Sequence, residues 1–271
     1  MKKLAIHEKS CNLHTWIAKF AIMKWVILTL ILAVIVGVVS AQTTTQPAPT
    51  STAQTATEQV VSMPKTDWLT PFTAVKIDGP MNVIFKKVPT VEESRIIYDT
   101  KGNITSKFKF EVDKKGMLIV SEKADPKRTS VTDITIFYHT LNEVKIAHAK
   151  AEFNDSIEAT IFDLAVSGGA MVVLDIKTLD AAVECTGVSR LTLSGETKYF
   201  TMRASTAKVD CSKLAVVSAT VDCSHSAEVR IEVSERLEAT TSTGAKLLYK
   251  GYPVILRNHN AIFGGDIFNI N

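Results

Sequence analysis

Acids, imidazoles, thiols and serines are the side chains of this chain whose spacing invites a chemical reading. Asp175, Asp180, Asp210 and Asp222 could serve as acid and base in cleaving a polysaccharide, provided that two carboxylates meet on one face. His225 and His259 could ligate a metal, and Cys185, Cys211 and Cys223 could pair as a disulfide. Ser167-Gly168-Gly169 has the look of a phosphate loop. Asp155-Ser156-Ile157 matches an acceptor tripeptide of bacterial O-glycosylation, which makes Ser156 a candidate modification site.

Whether any of these groups meet depends on the elements that carry them, and the second half of the chain repeats. A small residue recurs at Ala151, Ala170, Ser189, Ala207, Ala227, Ala245 and Ala261, at intervals of 19, 19, 18, 20, 18 and 16 residues. Alternating apolar residues follow it, as in Val172/Leu174, Leu191/Leu193 and Val229/Ile231, and others precede it, as in Leu164/Val166, Val183/Cys185 and Val221/Cys223. Glycine stands just ahead at Gly168-Gly169, Gly187 and Gly244, where a turn needs positive φ.

One such copy cannot bury its apolar side alone, whereas stacked copies about 4.8 Å apart can. The repeat is too short for a helical solenoid. The fold class expected is therefore all-β: a right-handed parallel β-helix, a single-stranded solenoid with rungs of about 19 residues, preceded by an N-terminal β-rich capping segment. The small residues are its corner positions. Outward residues should stack as well, placing Glu228 between Lys208 and Lys246 and Asp210 against Arg230.

That architecture disperses the candidate groups. The four aspartates fall in different columns or in a connecting turn. His225 and His259 fall two residues before a small position, two rungs or about 10 Å apart, too far to share a metal. Cys185 and Cys223 share an inner column with Ala204 between them, beyond disulfide reach, while Cys185 to Cys211 stays open. Ser167-Gly168-Gly169 is a corner, because no Gly-Lys-Ser/Thr follows. No catalytic set, metal or cofactor is expected.

The ends say where the chain works. Trp25 to Val39 is an apolar run of 15 residues after Lys24 and before Ser40-Ala41, so residues 1–41 read as a signal peptide or N-terminal membrane anchor. Residues 42–66, rich in Thr, Gln and Pro, read as a linker, 67–140 as the N-terminal β segment, and 141–268 as the solenoid part of the same domain. Setting aside the leader's five lysines and one glutamate leaves the 31 basic and 28 acidic side chains near a net charge of −1. A nucleic-acid partner, which needs a basic stripe, is not expected.

Phe72 to Gly79, Leu164 to Ala170, Thr186-Gly187-Val188-Ser189, Ser242-Thr243-Gly244-Ala245 and Tyr249 to Pro253 come in an order and spacing that resembles the auto-transporter adhesin "head GIN" domain family of exported Bacteroidetes-type proteins. The likeness covers roughly residues 68–268. It implies a β-helix fold with no catalytic set. The expected function is a non-enzymatic cell-envelope protein in the periplasm or at the cell surface, binding glycan or protein. A polysaccharide-active enzyme and a self-assembly module are the alternatives, and membrane contact is expected only through the N-terminal segment.

Overall fold

The computed structural model describes residues 63–102, 105–128, 130–260 and 264–271, so the leader, most of the linker and Ala261 lie outside the described residues. Alternation of apolar and polar residues is satisfied by strands throughout. Each tier is an arm, a tight corner and a second arm, and the tiers stack in parallel. The regular tiers use β10 (Ile157–Ser167), β11 (Met171–Thr186), β12 (Arg190–Ser205), β13 (Lys208–Ser224) and β14 (Glu228–Thr241). Each of these strands runs through a second, gentler bend, across which Thr178 still faces Thr197 and Thr197 faces Val216, while β13 shifts register against β12 after Thr192 and against β14 after Cys211.

The corners stack through their own backbone. Arg190, Lys208, Glu228 and Lys246 donate their N–H groups to Ala170, Ser189, Ala207 and Ala227 carbonyls at 2.9, 2.9, 2.9 and 2.8 Å, and Asp266 donates to Ala245 at 2.9 Å. These small residues are buried, because a larger side chain would have no room inside the turn. Left-handed backbone makes the corner: Gly168 and Gly169 at φ 63° and 78°, and equally His225 and Ser226 at 50° and 61°. Loss of glycine at 225–226 therefore leaves the corner shape intact, whereas the corner at Thr206 is one residue shorter, with Thr206 alone left-handed.

The structure corrects the first corner. Met171 N–H donates to Ala149 O at 3.0 Å, so Ala149 holds the corner position and Ala151 instead pairs with Val172 in mid-strand. The turn before Ala149 is short, with His148 as its left-handed residue at φ 62°, and the bend at Asn154-Asp155 absorbs the difference. Both alanines are buried, which is why composition alone did not separate them. At the other end Asp266 pairs with Lys246, so Gly265 stacks on Ala245. A Cβ on Gly265 would lie 2.7 Å from Thr241 Cβ.

The N-terminal segment is more than a cap. β2 (Ala74–Asp78) and β3 (Met81–Lys87) form a tier lying between β6/β7 (Met117–Glu122, Thr132–Tyr138) and β8/β9 (Glu143–Ala147, Lys150–Phe153). The chain thus lays down a tier, returns over its outer side, and passes back to its inner side. β5 (Phe108–Val112) closes β6 as an antiparallel hairpin through the Lys114-Lys115-Gly116 turn. β4 (Arg95–Asp99) closes β7, and β1 (Lys65–Trp68) closes β4, both antiparallel. These three strands cover the end of the stack, where bare edges would invite aggregation. Lys65 and Thr66, assigned to the linker by composition, belong to β1.

The outer tier's corner is held by a buried ion pair, Arg128 to Glu122 at 3.1 Å, with Thr132 Oγ1 donating to Glu122 at 2.9 Å. At the C-terminal end β15 (Lys246–Lys250), β16 (Ile255–Asn260) and β17 (Asp266–Asn269) continue the parallel stack, so the segment after Gly264 adds a tier and does not cap it.

Inside, the columns are continuous. Leu118, Val75, Val144, Leu164, Val183, Met202, Val221 and Ala239 form one, all buried. Each large member contributes about 1.5–3 kcal/mol through burial.

Two substitutions test the corners. Ala207→Leu should overpack the turn and lower stability by roughly 1–3 kcal/mol in chemical denaturation; an unchanged midpoint would contradict the register. Val188 is 75% exposed and left-handed at φ 57°, so Val188→Gly should raise the midpoint, by relieving strain of about 1–2 kcal/mol that the glycine's extra chain entropy only partly offsets.

Candidate functional site

The dispersed acids stay dispersed. Asp210 accepts from Ser212 N and Oγ at 3.1 and 2.6 Å, and these bonds, with Arg230 and Lys213 nearby, hold its carboxyl below the usual range. Asp222 stacks between Arg203 and Thr240 on the opposite arm. Asp175 accepts from Ser194 Oγ at 2.7 Å within a strand, and Asp180 pairs with Tyr199 past the bend, so no connecting turn joins them.

The histidines do not share a column. His225 sits in a corner, with Nδ1 3.3 Å from Ser205 Oγ and 3.1 Å from Ser224 Oγ, while His259 stacks on Thr240 in an arm. No group of three His, Cys, Asp or Glu placed for a metal occurs among the described residues. Ser156 lies half-buried in the bend between β9 and β10, next to Asp155, whose carboxylate accepts from Lys87 N at 2.9 Å. Ser167 pairs within β10 beside its corner.

Cys185 and Cys223 flank Ala204 in one inner column, and they and Cys211 are buried free thiols. Burial pushes Cys185 and Cys223 up to about 12, the second helped by Asp222, and raises Cys211 as well. Nucleophilic chemistry needs the thiolate, so these are packing residues.

Among the concave features of the described residues are two that each cross four or more tiers. On the face of the arms that precede the corners, a depression of about 450 Å³ opens over Ala165 and Ala182. Glu143, Lys145, Asp163, Glu184 and Arg203 ring it, Glu143 pairing with Asp163 and Glu184 with Arg203 in adjacent tiers. Sequence columns did not group these acids, because Glu143 lies in the tier whose register was misplaced. Lys145 is bonded to Glu143 along the strand. The side chains stand mostly in solvent.

A larger groove of about 860 Å³ follows the second bend. Its floor is the column Ala159, Thr178, Thr197, Val216 and Val233, ending at Gly251. One wall stacks Lys177, Glu196, Ala215 and Glu232; the other carries Thr160, Leu179, Lys198, Val217, Ser234 and Tyr252. Gly195 and Gly251 shape this side: at φ 105° and 101°, a Cβ on each would come within 2.0 and 2.2 Å of the carbonyls of Ile176 and Val233. The sequence reading missed the groove because these residues looked like unpaired connections.

Residues 71–253 match the family model described as "Putative auto-transporter adhesin, head GIN domain". The chain belongs to this family. The matched span reaches from just before β2 to just past Tyr252, taking in the depression and the groove just described. A solved putative adhesin from Bacteroides fragilis aligns at TM-score 0.67 and 15% identity, covering 77% of this chain and 96% of its own. One from Parabacteroides merdae aligns at 0.62 and 17%, with the same coverage. A structure described as a putative lipid binding protein, from Parabacteroides distasonis, aligns at 0.58 and 13%, again covering 77% and 96%. At such identities the likeness is one of fold. Among functionally curated proteins none matches. No helix among the described residues of this head GIN chain is long and apolar enough to cross a membrane.

The thiols supply a test. At pH 8 the native chain should resist alkylation of Cys185, Cys211 and Cys223, and unfolding should expose all three. The raised folded values contribute stability that is complete below the unfolded thiol value near 9 and is lost as pH climbs toward 12. Rapid native labelling at pH 8 would contradict the burial.

Proposed function

We propose that this head GIN chain is a non-enzymatic cell-envelope protein, exported by its leader, that binds a glycan or protein ligand on the side of its solenoid. The observation that carries the reading is the groove from Ala159 to Tyr252, which crosses the tiers and offers one long, mixed surface. The adhesin names of the family and of its structural neighbours support a surface role, and one neighbour's description adds lipid as a ligand class to be tried.

The depression ringed by Glu143, Asp163 and Glu184 favours a second reading, a polysaccharide-active enzyme on the same scaffold. Paired carboxylates on one β-helix face are the machinery such an enzyme uses. The two readings separate cleanly. The purified chain, incubated with envelope polysaccharide, should bind without generating new reducing ends. Reducing ends that accumulate and disappear with Asp163→Asn or Glu143→Gln would establish the enzyme in its place.

A further inference from the structure

The groove along the second bend lies at right angles to the strands that build it. Its floor backbone is already bonded tier to tier through Thr178, Thr197 and Val216, so no strand can add to it and any ligand must be held by side chains. Those side chains are largely satisfied among themselves. Lys177 meets Glu196 at 3.0 Å, Lys198 lies 5.2 Å from the Tyr199 ring centre, and Thr178 Oγ1 donates to Thr197 Oγ1 at 2.9 Å. The charged wall alternates in sign from Glu158 through Lys177 to Glu196, and then reaches Ala215 and Glu232, so it presents no field that would gather a polyanion. Against this, Tyr252 is 82% exposed and Leu179 48%, large apolar surfaces opposite the polar wall.

We infer that the groove holds a neutral linear polysaccharide laid along the solenoid axis, with Tyr252 and Leu179 against sugar ring faces and the Lys177, Glu196 and Ser234 side chains toward hydroxyls. A pyranose has an apolar face and a rim of hydroxyls, which fits this division. An extended peptide could not be held by strand addition, because the floor backbone is already paired from tier to tier. An acyl chain would lie in an open trough with polar groups on both sides, still wet. From Ala159 to Gly251 the floor advances five tier steps, about 24 Å at ~4.8 Å per tier. An extended glycan advances about one sugar per tier, so the groove spans about five or six units. The inference rests on the envelope-binding reading and narrows it to a site and a ligand class.

The test uses the full-length chain, exported with its own leader and purified, in affinity electrophoresis through gels containing hydroxyethyl cellulose, laminarin, soluble starch or yeast mannan. Polygalacturonate, casein peptides and phosphatidylglycerol vesicles provide the charged, peptide and lipid arms. At least one neutral polymer should retard the chain, and Tyr252→Ala or Leu179→Asp should weaken that binding about tenfold or more, the scale of a lost ring contact. Lys109→Gln, on the capping strand β5, should not. Competition by soluble oligosaccharides, which needs no variant, should strengthen with length up to about the groove's five or six sugars and then level off.

The inference is overturned if no neutral polymer retards the chain, if only casein or vesicles bind, if both groove variants bind as well as the native chain, or if competition is complete with a disaccharide. A chain that binds envelope fragments but no neutral polymer loses this inference alone; one that cuts the polymers loses the broader reading too.

Discussion

Everything in the molecule depends on a parallel backbone ladder that continues through corners as well as arms, with register shifts only at local bulges such as those after Thr192 and Cys211. Because each tier lies directly on the next, like residues fall on like, and one choice of residue type is repeated down a column. Inner columns become dry stacks of Leu, Val, Met and Cys, and the small corner residues recur because each corner encloses the same space. Outward positions become surface ladders, which is how a short repeat produces a groove that crosses six tiers. The ladder also explains why the thiols are buried, since a column position inside the stack excludes water on every side.

The same ladder tolerates local strain. Val188, Thr206, His225, Ser226 and Thr243 all take left-handed backbone, a conformation that costs about 1–2 kcal/mol in a residue with a side chain. Cross-tier bonds at the turns fix them there: Val188 N to Thr206 O at 3.0 Å, Thr206 N to Ser224 O at 3.3 Å, and Ser226 N to Thr243 O at 3.0 Å. Surface charges follow a different rule. Glu228 does pair in register with Lys208 and Lys246, yet its carboxylate bonds Arg230 two residues along its own strand, and Glu238 does the same with Arg236. Exposed side chains are long enough to choose among neighbours, so register predicts proximity but not partner.

The stack from Ala170 to Ala245 was legible in the sequence because a column repeats its chemistry at a fixed interval, and Ser189, Ala207 and Ala227 carry that signal without ambiguity. Ala151 was misread because Ala149 beside it is equally small, and only the backbone bond to Met171 decides between them. The order of the early tiers, with β2/β3 enclosed by β6/β7 and β8/β9, was not legible at all. It is set by pairings between strands distant in sequence, a non-local matter that leaves no period behind. The depression around Glu143 and Asp163 was hidden by that same misplaced register. The groove was hidden for another reason: Thr178, Thr197 and Val216 alternate poorly, so a strand that bends there reads as a connection.

The functional reading inherits this architecture, since the depression and the groove exist only if residues distant in sequence share a face. The most direct measurement is therefore of tier adjacency. Arg190→Cys combined with Lys208→Cys places two thiols on exposed positions paired in neighbouring tiers, within the span of about 4.4–6.8 Å that a disulfide bridges. Arg190→Cys with Glu228→Cys places them two tiers apart, about 10 Å. Thiol counting after mild oxidation of the folded chain should show the first pair closed and the second open. Closure of the distant pair, or failure of the adjacent one in a chain that keeps its native thermal midpoint, would contradict the stack.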